Sequence, residues 1–262
     1  KALPFSPENL SRAAAEGYFD DTYLPLQWHL VNNGDLGPDK FVAGADVNVR
    51  KAWDLCTGDA SVVVAVLDEG VDVTHPDLRD AMWVNDGEIW RSHDDNDGNG
   101  YAGDYYGYNF ARNSAIINTD NIHDTGHGSH VAGVIGATNN NGLGISSIAG
   151  GNGSVPGVRI MSCQIFSGNY AGTVLDEVRA IKYAADNGAV ILQCSWGYTS
   201  GAANAYEWQP MYTTDEEWID YNPLESRALD YFIHNAGSAG GVIEGGIAVF
   251  AGGNESAPAA GY

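Results

Sequence analysis

The chain has 262 residues, 44% of them hydrophobic, so it is long enough and apolar enough to bury a sizeable core. Acidic residues outnumber basic ones by 34 to 12, and the net charge of −22 argues against binding to the phosphates of nucleic acids. No stretch approaches the ~20 apolar residues that a membrane helix requires, so we expect no membrane span.

The chain begins with a segment that is mixed, aromatic and turn-rich, and we interpret residues 1–44 as an N-terminal arm. Residues 45–262 form the predicted globular domain, which opens with a short amphipathic helix over 47–55. The first residue is Lys1 rather than Met, as in a processed chain, and the acidic composition suits an extracellular protein. We therefore expect the protein to be secreted or to lie at the cell surface.

Farther along the chain, predicted strands alternate with predicted helices. Apolar, β-branched runs predict strands over 61–67, 158–165, 189–194 and 246–251, and helices are predicted over 127–138, 174–187 and 223–235. The helix over 174–187 opens with the capping-box pair Thr173 and Asp176. The alternation predicts an α/β fold with a doubly wound, mostly parallel sheet and helices on both faces.

The first predicted strand ends in a carboxylate. The run VVVAVL is continuous and apolar, which suits a strand buried on both faces, and Asp68 follows it directly. Open α/β sheets build their sites at the carboxyl ends of strands. An aspartate that only caps the following turn is the alternative interpretation.

The run HDTGHGSHVAGVIGA places His127 and His130 three residues apart near the start of a small-residue helix. Because an imidazole can act as a general base near neutral pH, His127 is a candidate partner of Asp68, which would orient the ring and stabilise its charged form. A pair of core or metal-binding histidines is the alternative. A third segment, IAVFAGGNES, ends a strand at Asn254, whose amide is a neutral donor suited to a developing oxyanion.

Together, the runs VVVAVLDEGVDVTHPDL, HGSHVAGVIGA and VFAGGNES resemble the aspartate, histidine and oxyanion-asparagine motifs of the subtilisin-like serine proteases, the subtilases. The order of the motifs is the family's order, and the resemblance extends from about residue 40 to the end of the chain. It implies a subtilisin-like fold and a serine endopeptidase acting on peptide or protein substrates. In that family Asp68 would be the orienting acid, His127 the general base and Asn254 the oxyanion donor.

The family's nucleophilic serine belongs to a G-T-S-x-A-x-P motif after the oxyanion asparagine, and these 262 residues contain no such motif. Ser129, Ser195 and Ser256 stand in other segments. We therefore expect the domain over 45–262 to be incomplete at its C-terminal end and inactive alone. A cleaved or truncated chain is favoured over a degenerate relative, and a downstream C-terminal fragment of the same precursor is the expected partner.

The run DDNDGNGYAGD at 94–104 matches the first half of a D-x-[DN]-x-[DN]-G calcium loop. Its oxygen-bearing groups suit Ca²⁺, and a solvated acidic loop is the alternative interpretation. The predicted ligands of a structural Ca²⁺ are Asp95, Asp97, Asn99, the Tyr101 carbonyl and Asp104.

Four residues are predicted to contact substrate. Ser195, Trp196 and Gly197 follow a strand at the place where the family pairs with the substrate backbone, a case of strand addition. Glu69 matches a position in the branch of the family that prefers basic residues, where an acidic side chain faces the substrate residue before the cleaved one. A side chain that only faces solvent is an equal alternative.

Two other functions remain open from the sequence: a non-catalytic module that binds extended peptides, and a calcium-stabilised structural domain. A Cys-His protease is disfavoured, because Cys163 and Cys194 lie inside apolar runs rather than at an activating helix start.

Overall fold

The computed structural model describes residues 18–37, 41–119, 123–197, 214–238 and 240–252. The strands are β1 (Val63–Asp68), β2 (Gly107–Asn109), β3 (Arg159–Gln164), β4 (Ile191–Cys194) and β5 (Ile247–Phe250). The α-helices are α1 (Arg50–Trp53), α2 (His127–Gly136), α3 (Val174–Asp186), α4 (Asp215–Tyr221) and α5 (Pro223–Asn235). Short 3-10 helices cover Leu24–Leu26 and Arg79–Ala81.

The described strands form a five-stranded sheet in the order β2-β3-β1-β4-β5, and every pairing is parallel. All six residues of β1 are buried, as expected for a β-branched run at the centre of a parallel sheet. Asp68 and Gln164 are register partners at the ends of β1 and β3. The ends of the three central strands therefore form one edge.

Helices cover both faces of the sheet. On one face α3 packs over β1 and β3 and α5 packs over β5 and against α3, and the core there includes Leu67, Ile181 and Phe232. On the other face α2 packs over β1 and β3, with Val66 and Ala132 in a second core. The predicted doubly wound α/β architecture is confirmed.

The structure confirms one local prediction and corrects another. The capping box is confirmed, because Thr173 Oγ1 accepts from Asp176 N–H at 3.3 Å and Asp176 accepts from Thr173 N–H at 3.0 Å. The predicted helix over 47–55 was too long, since α1 covers only Arg50–Trp53 and the positive φ of Asn48, 55°, breaks the helical path before it. The sequence did not predict β2 or α4. The first has only three residues, and the second buries no side chain that would mark an apolar face.

Residues 18–37, within the predicted arm, pack against the loop that follows α2. Asp21 is buried and accepts hydrogen bonds from Asn140 N–H and Asn141 N–H, both at 3.0 Å, and from Ser146 Oγ at 2.6 Å. Phe19 packs edge-on against Trp53 of α1 at 4.8 Å between ring centroids. The described part of the arm is therefore joined to the rest of the fold by buried contacts. Within the described ranges, no helix has both the length and the apolarity needed to cross a bilayer.

Candidate active site

Asp68 and His127 meet at the carboxyl edge of the sheet. Nδ1 of His127 lies 2.9 Å from both carboxylate oxygens of Asp68. The Asp68 side chain is 2% exposed and the His127 side chain 48% exposed, so the carboxylate is enclosed while the ring reaches solvent. Because an ionised carboxylate only accepts, the bond assigns the proton to Nδ1 and leaves Nε2 as the basic nitrogen.

The surroundings of Asp68 hold its carboxylate in one orientation. Burial raises the pKa of Asp68 above its usual range, while the hydrogen bond from Glu69 N–H, 2.7 Å from Oδ1, and the contact with His127 oppose that rise. The backbone carbonyl of Asp68 accepts from Ile165 N–H at 2.9 Å, which continues the pairing of β1 with β3. The strand end therefore presents a fixed carboxylate to α2.

Glycines allow the first turn of α2 to approach β1. Gly126 precedes the helix with a φ of 76°, a left-handed conformation that favours glycine. A Cβ on Gly128 would lie 2.3 Å from the carbonyl oxygen of Gly70, so no larger residue fits at position 128 without movement. Ser129 Oγ also accepts from Asp72 N–H at 2.8 Å. These contacts bring the imidazole of His127 within reach of Asp68.

Glu69 lies beside the same turn. Its Oε2 accepts from Thr125 N–H at 2.9 Å, from Thr125 Oγ1 at 3.1 Å and from His127 N–H at 3.3 Å. The carboxylate therefore contacts the backbone that leads into α2.

The segment after β4 lies next to β1. The indole Nε1 of Trp196 donates to the carbonyl of Leu67 at 2.8 Å, and its ring packs edge-on against Phe166 and Phe250, with centroids 6.1 and 5.7 Å away. Ser195 Oγ accepts from Gln193 Nε2 at 3.1 Å. Gly197 is exposed, and, apart from the glycine itself and its chain neighbours, no atom of the described residues lies within 4 Å of where a Cβ would stand.

The acidic loop folds back on the turn at 85–88. Glu88, Asp95 and Asp97 each offer a carboxylate oxygen, and these oxygens all lie within 4.8 Å of one another. Oε2 of Glu88 is buried and has no hydrogen-bond partner among the described residues. A cluster of carboxylate oxygens, in which one residue also carries an unsatisfied buried oxygen, fits a calcium ion.

The other predicted calcium ligands have protein partners. Asp104 is fully buried and accepts from Tyr183 Oη at 2.6 Å and from Asn99 Nδ2 at 3.1 Å. Burial and the nearby charges of Asp97 and Glu88 raise the pKa of Asp104, against the effect of those two hydrogen bonds. The Tyr101 carbonyl accepts from Asp104 N–H at 3.3 Å.

Comparison with known proteins identifies the family. The sequence profile described as Subtilase family matches residues 59–261. The chain belongs to the subtilase family. Subtilisin-like protease 1 of Plasmodium vivax is 32% identical to this subtilase chain over 187 residues, which are 70% of this chain and 26% of that protein. A thermophilic serine proteinase of Bacillus sp. strain AK1 is 35% identical over 162 residues, 60% of this chain and 32% of that protein.

Solved structures share the subtilase fold of this chain. The serine protease of Aeromonas sobria, in a complex with the chaperone ORF2, superposes with a TM-score of 0.55 at 20% identity, over 82% of this chain and 30% of that one. A protease of Pseudoalteromonas arctica gives a TM-score of 0.52 at 20% identity, over 89% and 58%. The chain spans about a quarter to a third of the length of the sequence relatives named above.

The structure brings together some of the predicted site residues of this subtilase chain. Asp68, Glu69 and His127 share one edge of the sheet, and Trp196 contacts the residue before Asp68. Asn254 lies outside the described residues. Glu88 was missed by the sequence analysis, although an acid in the turn before a calcium-type loop could have drawn attention to it.

Proposed function

We propose that this chain carries the acid and the base of a serine endopeptidase. The observation that carries the proposal is the pair of 2.9 Å contacts between His127 Nδ1 and the enclosed carboxylate of Asp68. Membership of the subtilase family supports it. In this arrangement Asp68 engages Nδ1 of a half-exposed ring, and Nε2 is left as the nitrogen that a nucleophile would approach.

In the proposed reaction, Nε2 of His127 takes the proton of a serine hydroxyl as the serine oxygen attacks the carbonyl carbon of the substrate. The buried charge of Asp68 stabilises the imidazolium that forms, and the imidazolium then returns the proton to the leaving amine. Water hydrolyses the resulting acyl ester by the same proton transfers. We assign to Asn254 the donation of a hydrogen bond to the oxyanion, together with backbone N–H groups.

The serine belongs to sequence outside these 262 residues in this proposal, and the isolated chain is therefore inactive. A downstream part of the same precursor is the proposed partner. The exposed apolar residues of β5, the last strand on its side of the described sheet, support this, because Ile247 is 65% exposed and Phe250 42%. A covering polypeptide would bury them.

We propose that extended peptides bind along the segment Ser195, Trp196 and Gly197. Gly197 is exposed, and strand addition uses the backbone groups of such residues. Glu69 stays a candidate for favouring a basic residue next to the cleaved one, since the described contacts engage only one of its carboxylate oxygens. An exposed ion pair of this kind contributes ~0–1 kcal/mol.

We also propose one structural Ca²⁺. Glu88, Asp95 and Asp97 would hold the ion with carboxylate oxygens, and Asn99, the Tyr101 carbonyl and Asp104 complete the set expected from the sequence. The ion would neutralise acidic groups whose mutual repulsion otherwise opens the loop. Secretion or cell-surface display is proposed with it, on the strength of the acidic composition.

The proposal is tested by labelling with a fluorophosphonate probe, which reacts with activated serines. The isolated chain should not label, and a longer polypeptide that adds the G-T-S-x-A motif should. Intact mass measurement of protein from the natural source would show whether such a fragment accompanies the chain. Labelling of a serine within these 262 residues would contradict the proposal. Peptide binding without labelling of the longer polypeptide would instead favour a non-catalytic peptide-binding module.

A further inference from the structure

The carboxylate of Glu69 contacts the start of α2 rather than a charged side chain. Its Oε2 receives three hydrogen bonds, from the N–H and hydroxyl of Thr125 and the N–H of His127, at 2.9, 3.1 and 3.3 Å. Thr125 lies in the turn before the helix and His127 is the first residue of the helix, both far from Glu69 in sequence. Glu69, directly after β1, therefore binds the start of α2.

Helix α2 has no cap of its own. The first N–H groups of a helix lack partners inside the helix, and a polar side chain at the residue before the helix normally accepts from them. That residue is Gly126, which has no side chain, and the first turn of α2 contains no acidic residue. Glu69 supplies both missing features from another element, since it accepts from His127 N–H and places a negative charge at the positive end of the helix.

Two neighbouring residues therefore hold His127 at two points. Asp68 binds the imidazole through Nδ1, and Glu69 binds the backbone N–H of the same residue. A ring is oriented only as well as the backbone that carries it, so the two contacts together determine where Nε2 points. We propose that Glu69 is a positioning residue that fixes the backbone of His127 relative to Asp68. The inference rests on the proposed function, because positioning matters only if His127 is the base.

This role differs from substrate selection by Glu69. A carboxylate that selects basic residues affects only the substrates that carry one. A carboxylate that positions the base affects every substrate to the same degree, and it does so through kcat rather than KM. In the complete enzyme, Glu69→Gln should lower kcat for substrates with neutral and with basic residues beside the cleaved one, and leave KM nearly unchanged.

The direct test uses NMR on the 262-residue chain and needs no activity. Hydrogen exchange is measured at the amides of Thr125 and His127, together with the low-field signal of the His127 Nδ1 proton. The variants are Glu69→Gln and Glu69→Ala, with Glu216→Gln as an exposed control. The amide of His130 is an internal control, because it donates within the helix to the Gly126 carbonyl at 3.0 Å.

We expect exchange at Thr125 and His127 to accelerate roughly tenfold in Glu69→Ala, and less in Glu69→Gln, whose neutral oxygen is a weaker acceptor. The Nδ1 proton signal should broaden or disappear in parallel, while His130 and the control variant stay unchanged. An Nδ1 signal that survives Glu69→Ala would overturn the positioning role, whether or not the amides exchange faster.

A different result would contradict the proposed function. The variant Asp68→Asn tests the Asp68–His127 pair itself. If the unmutated chain shows no Nδ1 proton signal, or if the signal persists in Asp68→Asn, the pair does not form and Glu69 has nothing to position. A signal that depends on Asp68 but not on Glu69 would leave the Asp68–His127 pair intact and overturn only the positioning role of Glu69.

Discussion

The indole of Trp196 donates to the carbonyl of Leu67, one residue before Asp68, at 2.8 Å. This contact joins the segment after β4, where we propose that substrate binds, to the strand that ends in Asp68. Phe166 and Phe250 pack edge-on against the same indole, so residues at the ends of β1, β3 and β5 meet at one side chain. A displacement of Trp196 would therefore be transmitted to the end of β1.

Replacing Trp196 tests this connection. Trp196→Phe removes the Nε1–H donor while keeping most of the aromatic surface. We expect it to lower the free energy of unfolding by about 1 kcal/mol, the usual net contribution of one hydrogen bond. Urea unfolding measures the change, and Trp28→Phe at an exposed position is the control. Equal losses in the two variants would show that the Trp196 hydrogen bond contributes nothing specific.

The acidic loop predicts a response to calcium removal. Binding to the native state alone stabilises it by roughly 2.7 kcal/mol at a hundredfold excess of Ca²⁺ over the dissociation constant. Chelation should therefore lower the melting temperature, and Glu88→Gln or Asp97→Ala should each reduce that effect. Calorimetry with and without chelator measures it, with Glu216→Gln as the control. If chelation leaves the melting temperature of the unmutated chain unchanged, the site does not bind calcium under those conditions.

Glu177, a half-buried acidic residue of α3, predicts a pH dependence of stability. Burial, with the charges of Glu225 and Asp176, raises the pKa of Glu177 from 4.5 to about 7. A carboxyl group with a raised pKa binds its proton more tightly in the folded chain, so its contribution is complete below about pH 4.5 and is lost as the pH rises through about 7.

We therefore expect Glu177→Gln, which stays neutral, to become more stable relative to the unmutated chain as the pH rises from 4.5 to above 7. The gain stays below about 4 kcal/mol, the limit set by about 1.4 kcal/mol per pKa unit, because solvent screens this half-buried group. Urea unfolding at a series of pH values measures it, with Glu216→Gln as the control. A stability difference between Glu177→Gln and the unmutated chain that does not change with pH would contradict the raised pKa.

Asp21 tests whether the arm belongs to the folded unit. Asp21→Asn keeps the size of the side chain but turns one of its oxygens into a donor that faces the donors of Asn140, Asn141 and Ser146. We expect a loss of about 1–3 kcal/mol in the free energy of unfolding, the range for a buried polar group left unsatisfied. Urea unfolding checks this against Asp54→Asn at an exposed position. A cost no larger than that of the control would show that the arm contacts are not needed for the fold.

Local sequence was sufficient to predict an element where one segment contains both the residue pattern and the residues that it contacts. The run VVVAVL predicts a buried strand because its side chains are apolar on both faces. Thr173 and Asp176 are three residues apart and satisfy each other in the structure. The fold class follows from such segments because their alternation restricts how they can pack.

Sequence alone was insufficient where the partners are distant along the chain. Glu88 lies near Asp95 and Asp97 only because the loop folds back. The same fold brings Asp97 so close to Gly87 that a Cβ at position 87 would lie 2.7 Å from the Asp97 side chain. The indole contact of Trp196 with Leu67 spans 129 positions. The contact of Glu69 with Thr125 likewise needs α2 to be placed on the sheet.

The central claim is that His127 is the base of a serine peptidase, and the rate of fluorophosphonate labelling tests it most directly. The measurement uses a polypeptide that contains these 262 residues and the downstream serine motif, in the unmutated form, in His127→Ala and in His130→Ala. His130 is exposed on the same helix and is the matched control. We predict that His127→Ala abolishes labelling and that His130→Ala labels at the unmutated rate. Labelling of His127→Ala at the unmutated rate would contradict the account.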